Sequence, residues 1–330
     1  MTALYVVVIF FTMKALYIKD RLELKGIDLP IPKENEALIK GVMAGICNTD
    51  LEIVKGYMGF EGVLGHEFVG VVEQAPDQKW VSKRVCGEIN LGCGECSYCQ
   101  RGLSRHCPNR TVLGILNHSG AFAEYLTLPL INLHQIPESI PDKSAVFVEP
   151  LAGAQEILEQ VQIEPNNRVA VVGDGKLGLL ICQVIRLTGC KLFLIGKHNR
   201  KLSLAKSWGI KALPFEQLPN EKFDIVIEAS GSPSGFSTAM NLVRPRGTIV
   251  LKSTYHGNLE LNVAPIVIDE INIVGSRCGP FEAAIRILEQ RLVDVECLID
   301  DIYPFNQALQ AFERAKQKET LKILLQIEKS

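Results

Sequence analysis

The feature that most limits the possible folds of this 330-residue chain is a glycine-rich turn between two apolar segments near its middle. The apolar run at 169–172 predicts a buried strand, and the run at 179–187 predicts a helix. In a dinucleotide-binding unit of this order, Gly173 makes the turn, Gly175 lets the backbone approach a pyrophosphate, and Gly178 allows helix and strand to pack closely. A second strand-like run follows at the expected distance, which favours this interpretation over an ordinary glycine-rich turn. The residues predicted to bind the dinucleotide here are Gly173, Gly175, Lys176, Leu177 and Gly178.

The distribution of apolar residues divides the chain into two parts. From 13 to 148, short apolar runs broken by Gly, Pro and Asn predict mostly β-structure. From 151 to 276, strand-like and helix-like segments alternate, which is typical of a parallel sheet covered by helices. Helical spacing returns at 281–290 and 304–316, before a last strand-like run at 321–327. Length and pattern together predict two domains of an α/β protein.

Charge balance and hydropathy argue against two kinds of partner. With 35 basic and 37 acidic residues and no basic block, the sequence lacks the electrostatic footprint of a nucleic-acid-binding protein. The long apolar run at 3–11 is too short to span a bilayer, has no basic residue before it and is followed by no small-residue cleavage pattern. We therefore expect no membrane segment and no targeting signal. Residues 1–12 are either an extension upstream of a natural start at Met13 or an edge strand.

Four cysteines fall within one short segment and predict a structural zinc site. Cys93, Cys96, Cys99 and Cys107 are separated by two, two and seven residues. Thiolates at this spacing can close a tetrahedron around zinc and leave no position open for water. Disulfides are the alternative, but cysteines so close together rarely bridge without strain, and His106 could compete as a ligand. Metal-binding cysteines in a long chain also favour a reducing, cytoplasmic compartment.

A second candidate metal site involves Cys47 and His66, which are about twenty residues apart. A thiolate and an imidazole suit zinc, and the neighbouring carboxylates of Asp50 and Glu67 can complete the coordination shell or orient it. Taken alone this pair is weak evidence, because a single cysteine and a single histidine in apolar surroundings are more often core residues.

The segment after the second predicted strand bears on which dinucleotide is bound. NAD sites usually place an acid there to hold the ribose 2′-hydroxyl, whereas this chain has Gly196 followed by Lys197 and Arg200. Without the acid a 2′-phosphate meets no repulsion, and the two cations can supply charged hydrogen bonds. The sequence therefore favours NADP over NAD. The alternative is that both cations lie on a solvent-exposed helix start.

Taken in order, these segments resemble those of the zinc-containing medium-chain dehydrogenases/reductases, of the branch that includes sorbitol and threonine dehydrogenases. The resemblance covers nearly the whole chain from Met13. Besides the glycine turn and the four-cysteine segment, it rests on the motifs at 45–47, 65–67, 120–125, 149–151 and 275–280.

The resemblance implies a fold, an activity and an assembly. A GroES-like, β-rich catalytic domain would occupy 1–150 and be completed by 282–330, and a Rossmann coenzyme-binding domain would occupy 151–281. The activity implied is zinc-dependent hydride transfer between NAD(P) and a secondary alcohol or ketone. The family also implies two zincs per chain and a homodimer or homotetramer.

The same resemblance assigns the ligands of the catalytic zinc to Cys47, His66 and either Glu67 or Glu149. Familiar alcohol dehydrogenases have a second cysteine at the position of Glu149. A carboxylate there keeps the same formal charge, so the metal would retain its power to polarise a substrate oxygen.

The residues assigned to catalysis are Thr49, Asp50 and Glu52: Thr49 contacts the substrate hydroxyl and takes its proton, Asp50 supports the metal site, and Glu52 stands at the relay position. Many relatives carry a histidine where this chain has Glu52, so the route by which the proton leaves is open.

The substrate is the least defined part of the prediction. By family analogy Asn117, His118 and Arg277 border the pocket, and their polarity suits a polyol, a sugar or an amino alcohol; otherwise the first two are ordinary surface-loop residues. Two other functions compete with a zinc dehydrogenase. One is a non-catalytic regulator that binds zinc and a nucleotide, and the other is a zinc-independent quinone reductase of similar fold; both are disfavoured by the joint presence of the catalytic ligands.

Overall fold

The computed structural model describes residues 12–254 and 261–328. The apolar run at 3–11 lies outside these residues. Up to residue 146 the elements are strands β1 (Thr12–Ile18), β2 (Leu22–Asp28) and β3 (Glu36–Ile46), helix α1 (Asn48–Val54), strands β4 (Gly62–Val63), β5 (Glu67–Gln74), β6 (Arg84–Gly87) and β7 (Asn90–Leu91), helix α2 (Ser97–Gln100), strands β8 (Thr111–Leu113), β9 (Asn117–His118), β10 (Tyr125–Pro129) and β11 (Leu133–Gln135), and helix α3 (Asp142–Ala145).

From residue 147 onward helices and strands alternate. The elements are α4 (Val148–Gln160), β12 (Arg168–Val172), α5 (Lys176–Ile185), β13 (Lys191–Gly196), α6 (Asn199–Ser207), β14 (Lys211–Pro214), β15 (Phe223–Glu228), α7 (Pro233–Leu242), β16 (Val243–Leu251), α8 (Ala264–Ile268), β17 (Asn272–Gly275), α9 (Phe281–Glu289), β18 (Ile299–Pro304), α10 (Ala308–Ala315) and β19 (Lys322–Gln326).

One compact unit comprises residues 12–146, 301–316 and 323–328, and it is built around strand β3. The sequence of β3 is apolar at most positions, and the strand is buried along most of its length, as expected for a strand covered on both faces. Strands β5, β10 and β19 pair with it in antiparallel register within a seven-stranded sheet. The register sets Gly45 opposite Glu67 and Ile46 opposite Ile323. The segments that leave β3 and enter β5 therefore meet at one end of the sheet.

The other compact unit comprises residues 147–254, 261–300 and 317–322 and contains a six-stranded parallel sheet. Its strand order is β14-β13-β12-β15-β16-β17, which is the 3-2-1-4-5-6 order of a Rossmann fold when β12 is counted first. Phe193 and Phe223 meet edge to face in its core, with ring centroids 5.0 Å apart. Each fully buried apolar side chain of this kind stabilises the fold by about 1.5–3 kcal/mol. The predicted β-rich domain and Rossmann domain are both confirmed.

The division of the chain differs from the predicted one near the C-terminus. Residues 282–300, predicted to belong to the first domain, lie in the unit that holds the parallel sheet. The reason is that α9 packs against α4 in that unit. None of the helices in the described part of the chain has the length and hydropathy that a membrane span requires.

Candidate metal centres and cofactor site

The predicted catalytic ligands meet where strand β3 ends and strand β5 begins. Cys47 directly follows β3, and His66 directly precedes β5, so the antiparallel register brings them together. The ligand atoms of Cys47, His66 and Glu67 all lie within 4.8 Å of one another. Neighbouring ligand atoms around a tetrahedral zinc are about 3.3–3.8 Å apart, so these three donors fit zinc with small adjustments.

Gly45 makes room for the carboxylate of this cluster. A Cβ atom at that position would lie 2.5 Å from Glu67 Oε2 and 2.8 Å from Val146 Cγ1. Glu67 is completely buried at 0% exposure, and His66 is buried as well. A buried carboxylate is costly unless a positive charge compensates it, which a metal ion at this position would do.

Asp50 supports the cluster from the first turn of α1. Its Oδ2 atom accepts the Cys47 backbone N–H at 2.8 Å, and its Oδ1 atom lies 3.3 Å from His66 Nδ1. Burial opposes the charged form of His66, but the Asp50 carboxylate, assisted by Cys47, outweighs burial and raises the pKa of His66 well above 6.5. Because a histidine ligand must be neutral, metal binding here would release a proton. Asp50 thus orients both ligand-bearing segments, as a partner outside the coordination shell does.

The two other predicted catalytic residues also lie on α1. Thr49 Oγ1 is 3.8 Å from Cys47 Sγ, so its hydroxyl lies beside the ligand sulfur. Glu52 accepts a hydrogen bond from Lys55 Nζ at 2.7 Å on the exposed side of the same helix. The structure therefore supports a position for Thr49 next to the metal ligands, while the relay role of Glu52 stays a prediction.

Glu149 belongs to the other compact unit and lies in the first turn of α4. Its role as a zinc ligand stays a prediction.

The four cysteines predicted to bind a structural zinc do come together. Cys96 Sγ lies 3.6 Å from Cys99 Sγ and 3.7 Å from Cys107 Sγ, and Cys107 Sγ lies 3.6 Å from Cys93 Sγ. These separations exceed a disulfide bond of about 2.05 Å and match the spacing of about 3.8 Å between sulfurs around tetrahedral zinc. Hydrogen bonds from the backbone N–H groups of Glu95 and Cys96 lower the pKa of Cys93 to about 6, which favours the thiolate that binds metal. The segment fits a closed zinc site.

The glycine turn has the geometry that its sequence predicts. Gly173 has a φ of 118°, which a side chain would strain, and its N–H donates to Ile195 O at 2.8 Å. A Cβ atom on Gly178 would lie 2.0 Å from Gly173 O, whereas one on Gly175 would meet nothing within 4 Å. Helix α5 begins at Lys176, directly after Gly175, so the N-terminus of the helix lies beside that open space.

The contrast between two glycines of the turn gives a matched test. Gly178→Ala is expected to destabilise the protein by more than about 2 kcal/mol, because the new methyl group overlaps a backbone oxygen. Gly175→Ala should change stability by less than about 1 kcal/mol and weaken dinucleotide binding about ten-fold, since only a ligand would meet its methyl group. Urea unfolding and cofactor titration of both variants measure this; equal destabilisation by the two would contradict it.

The segment after β13 is held by a residue that was not predicted. The carboxylate of Asp174, inside the glycine turn, accepts the backbone N–H groups of Lys197 and His198 at 2.8 and 2.7 Å. Lys197 Nζ lies 5.2 Å from the ring centroid of Phe215. Arg200, predicted to be a cofactor contact, instead donates from Nη2 to Asp300 Oδ1 at 2.7 Å. It would have to leave that carboxylate to reach a 2′-phosphate.

Comparison with known proteins identifies the family. The alcohol dehydrogenase GroES-like domain matches residues 33–138, and the zinc-binding dehydrogenase domain matches residues 177–290. A sorbitol dehydrogenase from Halalkalibacterium halodurans is 29% identical over 319 residues, covering 90% of this chain and 93% of that protein. The starvation-sensing protein RspB of Escherichia coli K12 is 30% identical over 337 residues, covering 95% and 99% respectively. The chain belongs to the zinc-binding alcohol dehydrogenase family.

A solved structure of the family shares the fold of this dehydrogenase. It is described as a short chain alcohol dehydrogenase (rspB) from Escherichia coli CFT073, complexed with NADH. The TM-score is 0.89 at 29% identity, covering 96% of this chain and 99% of that one. The resemblance to the medium-chain, sorbitol dehydrogenase-like branch is confirmed. The protein is an NAD(P)-dependent alcohol dehydrogenase that uses zinc.

The predicted substrate residues of the dehydrogenase lie in two places. Asn117 and His118 form β9, which belongs to the same compact unit as Cys47. Burial lowers the pKa of His118, and its Nδ1 lies 2.8 Å from Ser119 O. Arg277 is exposed in the other unit, and its carbonyl accepts from a buried lysine. Contact of these residues with substrate stays a prediction.

That lysine, Lys252, was also missed by sequence reasoning. It directly follows β16 and is only 9% exposed, while its Nζ donates to Gly153 O at 2.6 Å and Arg277 O at 2.8 Å. It therefore ties α4 to the loop that carries Arg277. A lysine at the end of an apolar strand is normally assigned to the surface. Only its contacts with residues distant in sequence reveal that Lys252 is buried.

Lys252 makes the free energy of unfolding of the dehydrogenase depend on pH. Burial lowers its pKa from 10.5 to about 8, against the opposing effect of Cys278 and then Glu149. The unfolded chain binds the proton more tightly, so stability rises as pH increases from about 8 to about 10.5 and is lost as pH falls through 8. Compared with Lys252→Met, the wild type should gain about 2 kcal/mol between pH 7.5 and 9.5 in urea unfolding. A difference that does not change with pH would contradict this expectation.

Proposed function

We propose that this dehydrogenase oxidises a secondary alcohol group of a polyol, sugar or amino alcohol, and reduces the corresponding ketone, with NADP preferred over NAD. The observation that carries the proposal is the convergence of Cys47, His66 and Glu67, with the Thr49 hydroxyl 3.8 Å from the Cys47 sulfur. The polar substrate class is supported by the similarity to a sorbitol dehydrogenase and by the polar side chains of Asn117 and Arg277.

Two zincs per chain are part of the proposal. Cys93, Cys96, Cys99 and Cys107 would hold the structural ion. Cys47, His66 and either Glu67 or Glu149 would hold the catalytic one, which leaves one position for the substrate oxygen. The proximity of the Cys47, His66 and Glu67 ligand atoms supports Glu67. The catalytic zinc would supply the positive charge that lowers the pKa of a substrate hydroxyl, and the nicotinamide would supply the hydride acceptor.

The residues of α1 would handle the substrate proton. Thr49 lies beside the ligand sulfur, so its hydroxyl can accept the proton of the substrate alcohol while it passes its own proton on towards solvent. Glu52 is one turn further along α1 and partly exposed, which places its carboxylate towards solvent as the next acceptor. Asp50 takes no proton in this scheme. It holds the Cys47 backbone and faces the His66 ring.

The proposed preference for NADP depends on the segment after β13. Gly196 offers no acceptor for a ribose 2′-hydroxyl, and Lys197 follows it directly. The solved relative from Escherichia coli carries NADH, so NAD is the alternative cofactor.

We expect Lys197→Ala combined with Arg200→Ala to lower kcat/KM for NADP by roughly ten- to a thousand-fold, because the charged hydrogen bond of Lys197 is lost, together with any that Arg200 makes on leaving Asp300. The value for NAD should change less than about two-fold. Lys206→Ala, which removes an exposed cation from the same helix, is the matched control. A wild type that uses NAD better, or a double variant that keeps the NADP preference, would refute the assignment.

Turnover across polyols, sugars, amino alcohols and aliphatic alcohols, each with NADP and NAD, tests the substrate class. A clear preference for long-chain aliphatic alcohols would contradict it.

We also propose a homodimer or homotetramer, on the family resemblance, and a location in the cytoplasm, on the cysteine usage. Sedimentation analysis of the zinc-loaded enzyme tests the assembly.

A further inference from the structure

Asp174 carries a carboxylate that the proposed chemistry does not use. It is only 6% exposed, although it lies in the glycine turn that is predicted to bind the cofactor. Its Oδ2 accepts the N–H groups of Lys197 and His198, and its two oxygens lie 3.0 and 3.1 Å from His198 Nδ1. Asp174 therefore ties the turn after β12 to the segment after β13.

The Asp174 carboxylate fills the space that a side chain at position 196 would occupy. A Cβ atom on Gly196 would lie 2.5 Å from both Cβ and Oδ2 of Asp174. An acid at position 196, as used in NAD sites, could not coexist with Asp174 in this arrangement. The carboxylate occupies that space, but it accepts hydrogen bonds from the protein's own N–H groups. About three of its four lone-pair directions are used in this way, which leaves little capacity for ribose hydroxyls.

Arg200 is held in a structural contact of its own. Its Nη2 donates to Asp300 Oδ1 at 2.7 Å and to Glu319 O at 3.1 Å. Asp300 is largely buried and also accepts the backbone N–H of Leu321. Moving the guanidinium to a phosphate would leave this carboxylate without its cation, which is costly. A second positive group for a 2′-phosphate must therefore come from elsewhere in the segment.

His198 has the position and orientation for that role. It is the residue that precedes α6, and its side chain is 24% exposed. Because Nδ1 faces the Asp174 carboxylate, the Nε2 edge is directed away from it. A ring held in this way has a fixed orientation, and in its protonated form it donates a hydrogen bond from Nε2 while the carboxylate balances its charge.

We propose that His198, oriented by Asp174, is the second contact to the cofactor 2′-phosphate beside Lys197, and that Arg200 is a structural residue. The inference rests on the proposed preference for NADP. It assigns His198 as a specificity-determining residue and Asp174 as a positioning residue, neither of which the glycine motif itself identifies. Gly196 is required because only a residue without a side chain leaves space for Asp174.

Calorimetric titration of the zinc-loaded, full-length enzyme with 2′,5′-ADP and with 5′-AMP isolates the contribution of the 2′-phosphate. The wild type should bind 2′,5′-ADP more tightly. His198→Ala should weaken 2′,5′-ADP at least about ten-fold and 5′-AMP less than two-fold, as expected for one charged hydrogen bond. Asp174→Asn should act in the same direction, because the ring loses its charged partner. Arg200→Ala and the exposed-cation control Lys206→Ala should leave the ratio of the two affinities within about two-fold.

The outcomes separate the inference from the proposed function. A wild type that binds both nucleotides equally, or 5′-AMP more tightly, overturns the NADP preference and the inference with it. If Lys197→Ala abolishes the preference while His198→Ala retains it, the cofactor proposal stands and the inference fails. The inference also fails if Arg200→Ala removes the preference as strongly as His198→Ala. His198 lies in a partly exposed segment, so its variant tests the inference even if Asp174→Asn does not fold.

Discussion

Replacing Cys47 with serine is expected to lower kcat/KM at least about a thousand-fold while the fold persists. The thiolate is one of three donor atoms within 4.8 Å of one another, and serine is a poor zinc ligand, so the catalytic ion should be lost. The electrostatic stabilisation that such an ion provides amounts to several kcal/mol, which corresponds to a rate factor of about a thousand or more. Metal analysis should show zinc content falling from two ions per chain to one.

Cys190→Ser is the matched control for Cys47→Ser. Cys190 is also partly buried, but its sulfur lies 3.9 Å from a backbone carbonyl, Ile185 O, and belongs to neither metal cluster. Zinc content and activity should both be retained. If Cys47→Ser kept its activity with one zinc per chain, the proposed catalytic centre would be wrong. A count of one zinc in the wild type would refute the two-zinc proposal.

Replacing Cys107 with serine should open the four-cysteine segment without removing the catalytic zinc. Cys107 is completely buried, and its sulfur lies within 3.7 Å of the sulfurs of Cys93 and Cys96. A structural zinc contributes about 10–16 kcal/mol of binding free energy in small peptides, so losing one thiolate should weaken the segment by at least about 3 kcal/mol. Tryptic cleavage after Arg101 or Arg105 should then become at least about a hundred-fold faster.

His106→Ala is the control for the structural site and also tests the competing ligand. His106 is exposed and directly precedes Cys107 in the sequence. Its removal should leave both the zinc content and the rate of tryptic cleavage unchanged. Loss of a zinc in this variant would mean that the histidine replaces one of the thiolates. Unchanged cleavage in Cys107→Ser would mean that the segment is held together by something other than zinc.

The parts of the molecule that could be predicted from sequence are those specified by closely spaced residues. Two glycines of the turn are required by neighbours only a few residues away. Gly173 has a positive φ, and a Cβ atom on Gly178 would lie 2.0 Å from the backbone oxygen of Gly173. The four cysteines likewise close on one another within a single loop. The apolar run at 169–172 predicts strand β12 (Arg168–Val172) to within one residue, because a strand buried on both faces is apolar along most of its length.

The parts that could not be predicted depend on pairs distant in sequence. The sequence predicts Arg200 as a cofactor contact because it is a cation that follows a strand lacking the usual acid, but its partner Asp300 is a hundred residues away. The hydrogen bond from Lys252 Nζ to Gly153 O joins residues that are almost as far apart in sequence. The Asp174 carboxylate was hidden for a different reason: the middle position of a glycine turn accepts many residue types, so its identity carried no signal. Glu52 is the exception, since its ion pair with Lys55 is local and helical spacing could have shown it.

The pairing of β19 with β3 sets an order of events during synthesis of the chain. Ile323 lies opposite Ile46, at the end of β3 that leads into Cys47, whereas β10 covers the other end of the same strand. The half of β3 that precedes the catalytic ligands therefore has an exposed edge on the ribosome until the residues around 323 have emerged. The cysteines from 93 to 107 depend on no such late segment. The four-cysteine segment, proposed to hold the structural ion, can form while translation continues, whereas the sheet that leads into the proposed catalytic ligands is completed only when β19 pairs with β3.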